Sequence, residues 1–196
     1  MGERILHPIE PTYDEHSRIL ILGSFPSVKS REMGYFYGHP QNRFWKVLAA
    51  VFAEDSADEE HQTDSKPLPE AGKKAQSRKA VRTEAPMVPQ TIGERRSFLL
   101  RHHVAVWDVI ASCTITGSSD SSIRDVRTND LKPILRGAPI RQIFVNGKKA
   151  AELYRKYLLP ELGREAVCLP STSPANAQWS LEKLIDAWSV ILPDQK

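Results

Sequence analysis

The most constraining feature of the chain is the alternation of four short apolar runs with longer segments of helical periodicity. The runs are RILILG at residues 18–23, HVAVWDVI at 103–110, IRQIFVN at 140–146 and EAVCLP at 165–170. Such runs are typical of strands buried on both faces, and strands that alternate with helices favour a parallel sheet. The sequence therefore predicts an α/β fold, a single three-layer domain over residues 1–196, with a central, mainly parallel four-stranded sheet flanked by helices.

The segments between the apolar runs predict the helices and one insert. Helices are expected over residues 42–52, 93–102, 129–135, from 147 to near 160, and over 180–191. Residues 54–90 have almost no periodicity, an acidic first half, a basic second half and several prolines. Such a segment has too little apolar surface to offset the entropy of ordering, so the sequence predicts a disordered insert there.

Composition excludes some classes of protein and leaves others open. The formal net charge of +3 suits a polyanionic partner without requiring one. Cys113 and Cys168 stand far apart, and no HExxH motif or i, i+4 histidine pair is present, so we expect no metal and no cofactor. No signal peptide or membrane span is evident, so we expect a soluble, cytoplasmic protein.

The unusual polar segments all follow the predicted strands. GSFPS follows the first strand, Asp108 ends the second, Asn146 and Gly147 end the third, and LPSTSPAN follows the fourth. Ligands of open α/β sheets bind beyond the carboxyl ends of the strands. The first of these connections is also far longer than the usual ~2–6 residues. The sequence thus predicts one binding site at this edge of the sheet.

Two of these segments carry a family resemblance. GSFPSVKSREMGYFYGHPQNRFW, followed near the end by LPSTSPANA, resembles the DNA-deoxyinosine (hypoxanthine-DNA) glycosylases, a branch of the uracil-DNA glycosylase superfamily. The resemblance implies an enzyme of base-excision repair that hydrolyses the N-glycosidic bond of deoxyinosine, releasing hypoxanthine and leaving an abasic site. It implies DNA containing deaminated bases as the partner and no metal or cofactor. The chain departs from the mismatch-specific relatives at Phe25 and Leu169, where those proteins carry polar groups.

Two asparagines are the candidates for the chemistry. The resemblance places the catalytic role on Asn42, which could hold the attacking water through its side-chain carbonyl; the alternative is that it only caps the helix that follows. The resemblance also points to Asn146, whose amide could bind the N–H and the carbonyl of hypoxanthine bidentately. The alternative for Asn146 is that it only ends a strand.

The remaining candidates would bind the base or the DNA. Tyr37 or Phe25 could stack on an extruded base, and the backbone around Ser24 could add contacts; the alternative is that these rings close the core. The last loop resembles the superfamily loop that enters the duplex; the alternative is that it only caps the helix that follows. Its candidate DNA-binding residues, together with one lysine at a helix start, are Ser171, Thr172, Ser173, Pro174, Ala175 and Lys148.

Three other functions compete with this hypothesis. One is a uracil or mismatch-specific DNA glycosylase. Another is a serine hydrolase using Ser24, Asp108 and a histidine, although GxSxG is missing. The third is a non-catalytic nucleic-acid-binding module. We expect a monomer without an obligate protein partner, because one site suffices for extruding one base.

Overall fold

The computed structural model describes residues 3–59, 86–116 and 122–192, with the side chains of Glu3 and of residues 54–59 excepted. The strands are β1 (Glu3–Leu6), β2 (Ile19–Gly23), β3 (Val104–Asp108), β4 (Ile110–Ile115), β5 (Arg124–Thr128), β6 (Gln142–Asn146) and β7 (Ala166–Leu169). The helices are α1 (Val28–Met33), α2 (Phe44–Glu59), α3 (Ile92–Arg101), α4 (Lys132–Gly137), α5 (Lys148–Leu153), α6 (Leu159–Leu162) and α7 (Leu181–Trp188). A π-helical segment (Tyr154–Leu158) joins α5 to α6, and a 3-10 helix (Ser189–Ile191) follows α7.

The central sheet has four strands in the order β3-β2-β6-β7, and each neighbouring pair is parallel. This confirms the predicted sheet, and each of the four apolar runs supplies one strand. The register aligns the strand ends: Gly23 lies opposite Asp108, and Asn146 lies opposite Leu169. The residues that follow the strands are therefore brought to one edge.

The side chains of the central sheet bury apolar surface on both faces, which explains the continuous apolar runs. Ile21 of β2 packs into a core with Phe44 of α2 and Trp188 of α7. Its neighbours Leu20 and Leu22 point the other way, into a second core completed by helices α4 and α5 and by strand β4. Alternate residues of a strand face opposite sides of a sheet, so one strand serves both cores. This arrangement gives the predicted three layers.

A second, antiparallel sheet of order β1-β4-β5 was not expected from the sequence. The predicted strand over 103–110 is in fact two: β3 ends at Asp108, and after Val109 the chain enters β4 of the other sheet. The backbone N–H groups of Val109 and Ile110 bond the carbonyl oxygens of Gly23 and Ser24, at 2.9 and 3.1 Å. The crossing between the two sheets is thereby fixed at the edge where the strands end.

Some element boundaries also differ from the prediction. Helix α2 continues to Glu59, whereas the prediction ended it at residue 52. The rest of the predicted insert, apart from residues 86–90, lies outside the described residues. The long first loop contains a short helix, α1, which begins after the N-cap Ser27. Among the helices described, none combines the length and the apolar character that crossing a membrane needs.

Candidate functional site

A cavity of about 340 Å³ opens at the carboxyl ends of the parallel strands. Gly23, Asp108, Asn146 and Ser171 line it, so all four strands contribute a residue at their ends or in the loop that follows. The predicted convergence of the polar segments therefore occurs. The volume lies within the range of about 300–1,000 Å³ that is usual for small-molecule sites.

Two glycines allow the walls of this cavity to come together. At Gly23 a Cβ atom would lie 2.1 Å from Oδ1 of Asp108, so any side chain there would displace the carboxylate. Gly147 has φ of 94°, and its Cβ would lie 2.8 Å from the Ser171 side chain. Only glycine adopts this φ without strain and admits so close a neighbour. The loop after β7 can thus lie directly against the end of β6.

Asn42 lines the cavity just before α2, and its side-chain carbonyl oxygen is bonded by two donors of the protein itself. Oδ1 accepts the backbone N–H of Phe44 at 3.0 Å and the hydroxyl of Thr172 at 3.0 Å. A carbonyl oxygen has two lone pairs, so both are used. The capping role is thus present, and the predicted hold on water through the carbonyl does not fit. The group that Asn42 can still offer is its amide nitrogen, a donor.

Asn146 also lines the cavity, and its amide is held by one residue of the last loop. Its Nδ2 donates to the hydroxyl of Thr172 at 2.9 Å, and its Oδ1 accepts the backbone N–H of Thr172 at 3.0 Å. Because both bonds go to one residue, the edge of the amide that could bind a base bidentately is occupied. One lone pair and one N–H remain, on opposite ends of the amide. The bidentate contact with a base that the sequence predicts would therefore require the Asn146 amide to release Thr172.

The predicted base-binding rings both lie in the cavity wall and both also belong to the core. Tyr37 stacks on Phe44, with ring centroids 3.8 Å apart and planes at 19°, which covers one face of the ring. Phe25 is 9% exposed and meets the edge of His7. Ser24, half-buried, also lines the cavity. The structure thus brings all three predicted residues to the site.

The Tyr37 side chain is held in an unusual environment. Its φ of 52° places a bulky residue in the left-handed region, where strain is expected. Burial raises the pKa of its hydroxyl above 10.0, the nearby Asp108 carboxylate raises the pKa further, and the Asn146 amide lowers it slightly. The hydroxyl oxygen is buried and forms no hydrogen bond of good geometry among the described residues. Tyr37 therefore stays neutral at physiological pH.

Arg43, the residue after Asn42, organises the last loop and was not singled out from the sequence. Its guanidinium donates to the carbonyl oxygens of Thr172, Ser173 and Asn176 at 3.3, 2.6 and 3.1 Å, and to that of Trp179. An arginine presents five N–H donors in a rigid fork, which suits a cluster of carbonyl oxygens. The helix start and the last loop are thereby joined into one unit.

The six predicted DNA-binding residues divide by exposure. Pro174, Ala175 and Lys148 are exposed, and Ser171 and Ser173 are half-buried. Thr172 is fully buried, which does not fit a phosphate contact by its side chain. Its place between Asn42 and Asn146 could not be read from the sequence, because the three residues lie far apart along the chain.

A buried pair behind the cavity wall tests the hydrolase hypothesis. Oδ2 of Asp108 bonds Nε2 of His7 at 2.8 Å, and Nδ1 of His7 accepts the backbone N–H of Ile9 at 3.2 Å. Neutral His7 therefore carries its proton on Nε2, and neither ring nitrogen is left to accept a proton from Ser24. Asp108 lines the cavity, but with His7 it does not form a serine-hydrolase triad. No sequence signal pointed to His7.

The residues described bring together no group of three or more His, Cys, Asp or Glu side chains able to hold a metal ion. Besides the charged side chains of Asp108 and Lys29, the site offers neutral donors and acceptors with aromatic walls. Such a set can bind a planar polar molecule and donate hydrogen bonds to charge that develops on it.

Comparison with known proteins identifies the family. The sequence model of the Uracil DNA glycosylase superfamily matches residues 10–192. A protein of Methanosarcina acetivorans named Hypoxanthine DNA glycosylase is 31% identical over 169 residues, covering 85% of each chain. One of Methanosarcina barkeri with the same name is 29% identical over 180 residues, covering 91% of this chain and 92% of the relative.

A solved structure agrees. The solution NMR structure of a protein from Methanosarcina acetivorans, described as a candidate uracil DNA glycosylase, superposes with a TM-score of 0.68 and 26% identity. The match covers 95% of this chain and 96% of that one. With the parallel sheet and its strand-end cavity, these matches show that the chain belongs to the uracil DNA glycosylase superfamily.

Proposed function

We propose that this protein is a DNA glycosylase that removes hypoxanthine from deoxyinosine and leaves an abasic site. The observation that carries the proposal is the pair of amides, Asn42 and Asn146, held at the strand-end cavity beside Tyr37. The names of the two Methanosarcina relatives support hypoxanthine as the base. The substrate is then DNA that contains deaminated bases.

The cavity lies where an extruded nucleotide could enter. A base inside a duplex cannot reach a protein pocket, so it must be flipped out, at a cost of a few kcal/mol that is smallest for mispaired bases. The exposed Pro174 and Ala175 at the rim suit the space left in the duplex. Lys148, exposed at the start of α5, suits a phosphate.

The reaction needs few groups. A water oxygen bonds to C1′ of the sugar while the bond from C1′ to N9 breaks, and the electron pair of that bond leaves with the base. The water loses a proton to solvent, and the base gains one. Stabilisation of the negative charge on the departing base lowers the barrier, and preorganised donors in a partly dry site do this well.

We assign this donor role to Asn42. Its carbonyl is already bonded twice, so its amide nitrogen is what can face the ligand in the cavity. An N–H donor there strengthens its bond as the base becomes an anion, so it favours the transition state over the bound substrate. Asn42 then acts on the leaving base rather than as the acceptor that holds the water.

Recognition of the base falls to the rest of the wall. Tyr37 has one ring face covered by Phe44, so the opposite face is the one that could stack on the base. Asn146 keeps one lone pair and one N–H, enough for a single hydrogen bond to the base edge. Phe25 and the Ser24 backbone would close the pocket.

Alkali treatment of oligonucleotides tests this function. The protein is incubated with duplexes that carry one deoxyinosine, one deoxyuridine or no modified base, and abasic sites are then cut with alkali. Strand cleavage at deoxyinosine is expected, and the undamaged duplex should stay intact. Cleavage only at deoxyuridine would make the protein a uracil glycosylase. Binding without cleavage of any duplex would leave a nucleic-acid-binding module.

A further inference from the structure

Among residues 171–180, which include the last loop, only Thr172 is completely buried. Its hydroxyl lies between Asn42 and Asn146. Oγ1 accepts from Nδ2 of Asn146 at 2.9 Å and donates to Oδ1 of Asn42 at 3.0 Å. Its backbone N–H donates to Oδ1 of Asn146 at 3.0 Å. Every polar group of Thr172 that faces the site is therefore engaged with one of the two amides.

The directions of these bonds are fixed by two backbone donors. The N–H of Phe44 requires an oxygen from Asn42, so the Asn42 oxygen must face α2 and Thr172. The N–H of Thr172 requires an oxygen from Asn146, so the Asn146 nitrogen must face the Thr172 hydroxyl. A hydroxyl has one proton, and here it is donated to Asn42, while the lone pair accepts from Asn146. Each amide is thus held in one of its two possible orientations.

We propose that Thr172 is a positioning residue: its hydroxyl bridges the two amides and, together with the backbone N–H groups of Phe44 and Thr172, holds them so that Asn42 presents its nitrogen to the cavity. The inference rests on the proposed function for its consequence in catalysis. Thr172 itself need not contact the substrate. Its carbonyl oxygen is also held by the backbone N–H and the guanidinium of Arg43, at 3.1 and 3.3 Å, which fixes the loop that carries it.

The hydroxyl can be removed with little change in shape. Thr172→Val keeps the volume and loses the hydroxyl, and Thr172→Ser restores the hydroxyl. Thr12→Val is a matched control, because Thr12 is 1% exposed and its hydroxyl bonds the Tyr35 hydroxyl at 2.9 Å, away from the residues that line the cavity. Both valine variants lose one buried hydroxyl, so general destabilisation should be similar in the two.

The first readout is the single-turnover rate of deoxyinosine cleavage at saturating enzyme, measured beside DNA affinity and melting temperature. Misplacing reacting groups slightly can cost large factors, so Thr172→Val should slow cleavage about 10- to 100-fold with DNA affinity unchanged. Thr172→Ser and Thr12→Val should stay within about threefold of wild type. Wild-type cleavage by Thr172→Val, or an equally slow Thr172→Ser, would overturn the proposal.

The second readout does not depend on activity. In ¹H–¹⁵N NMR spectra, the side-chain amide signals of Asn42 and Asn146 are identified by their loss in Asn42→Asp and Asn146→Asp. Thr172→Val should shift both signals, and Thr12→Val should shift neither. If wild type cleaves none of the duplexes, the proposed function fails, and these spectra alone decide on Thr172. Unshifted signals in Thr172→Val would overturn the inference.

Discussion

An asparagine side chain can act as a donor or as an acceptor, and its neighbours decide which end meets a ligand. Asn42 was predicted to hold a water through its carbonyl, but the Phe44 N–H and the Thr172 hydroxyl already occupy that oxygen. The sequence could identify the residue, through the HPQNRFW block, but not the direction of its hydrogen bonds. That direction depends on the Phe44 N–H and on the hydroxyl of Thr172, which lies 130 positions away in the chain.

Two substitutions at Asn42 separate the donor role from the acceptor role. Asn42→Ala should slow single-turnover cleavage of deoxyinosine by about 100-fold or more, as the loss of a transition-state donor does elsewhere. Asn42→Asp keeps the shape and both acceptor contacts but has no donor, and its charge repels the departing anion. It should therefore be at least as slow as Asn42→Ala. An Asp variant that retains substantial activity would return Asn42 to the acceptor role.

Tyr37 offers a test of stacking against hydrogen bonding. Its buried hydroxyl has no hydrogen bond of good geometry within the described part of the chain, so Tyr37→Phe should leave the melting temperature unchanged or raise it slightly. Because the ring remains, deoxyinosine cleavage should stay within about threefold of wild type, whereas Tyr37→Ala should lose a stacking contact worth ~1–3 kcal/mol. Equal loss of activity in both variants would show that the hydroxyl, not the ring, is the important group.

The same hydroxyl gives a pH dependence of stability. Its pKa is raised above 10.0 in the folded state, so above that pH the unfolded chain releases a proton that the folded chain keeps. Stability is then complete below about pH 10 and falls as pH rises. In urea unfolding at about pH 8 and pH 10.5, wild type should lose more stability between the two pH values than Tyr37→Phe does. Equal losses in the two proteins would contradict the shift.

At the scale of elements, the site lies where the start of α2 contacts the loop before α7. Arg43 holds the two segments together by donating hydrogen bonds to four carbonyl oxygens of that loop. The two segments were identified from the sequence as separate motifs, and their contact follows from the order of the sheet, in which β2 and β7 flank β6. The contacts of Arg43 could not be predicted. Every residue has a backbone carbonyl group, so the sequence does not indicate which of them an arginine binds.

The substitution Arg43→Lys tests the contact between the start of α2 and the loop before α7. Arg43→Lys keeps the charge but cannot reach four acceptors from one position, and hydrogen bonds to charged groups contribute about 1.5–3 kcal/mol each. We expect a loss of roughly 2 kcal/mol in the free energy of unfolding and faster hydrogen exchange over residues 171–179. Lys46→Ala, an exposed change one turn along α2, is the control. Unchanged hydrogen exchange over residues 171–179 in Arg43→Lys would show that Arg43 does not hold this loop in place.

The small antiparallel sheet shows where sequence patterns fail at this scale. The β5 sequence RDVRT is polar and mostly exposed, and β1 has four residues, so neither has the apolar run by which the central strands were found. Strand β4 was merged with β3 because only Val109 separates them. Edge and surface strands depend on their neighbours more than on their own composition.

At the scale of the whole molecule, the alternation of apolar runs and helices was sufficient to predict the layers and the site edge. Strands β2, β3 and β6 are buried on both faces, and this burial produces the apolar runs by which they were recognised. The edge strand β7 is less buried, with Val167 and Cys168 exposed. The segment between α2 and residue 86 has no such pattern, and its composition is acidic and then basic. The fold prediction therefore does not depend on it.

Deleting residues 60–85 and joining the ends with a short Gly-Ser linker tests that view. Surface insertions contribute a closure entropy that grows only slowly with length, so a cooperative melting transition and deoxyinosine cleavage should both persist. A change in DNA affinity and in its salt dependence alone would implicate the basic half in binding phosphates. Loss of the cooperative transition would show that this segment belongs to the core.

The most direct test of the central claim is to measure the released base and the abasic site in one reaction. Wild-type protein is mixed in excess with a duplex carrying one deoxyinosine. Free bases are then identified by chromatography with mass spectrometry, and alkali-labile ends are counted on a gel. We predict free hypoxanthine in amounts equal to the alkali-labile ends, with both products nearly absent for Asn42→Ala. Bound DNA with no free hypoxanthine would contradict the assignment of this cavity as a glycosylase site.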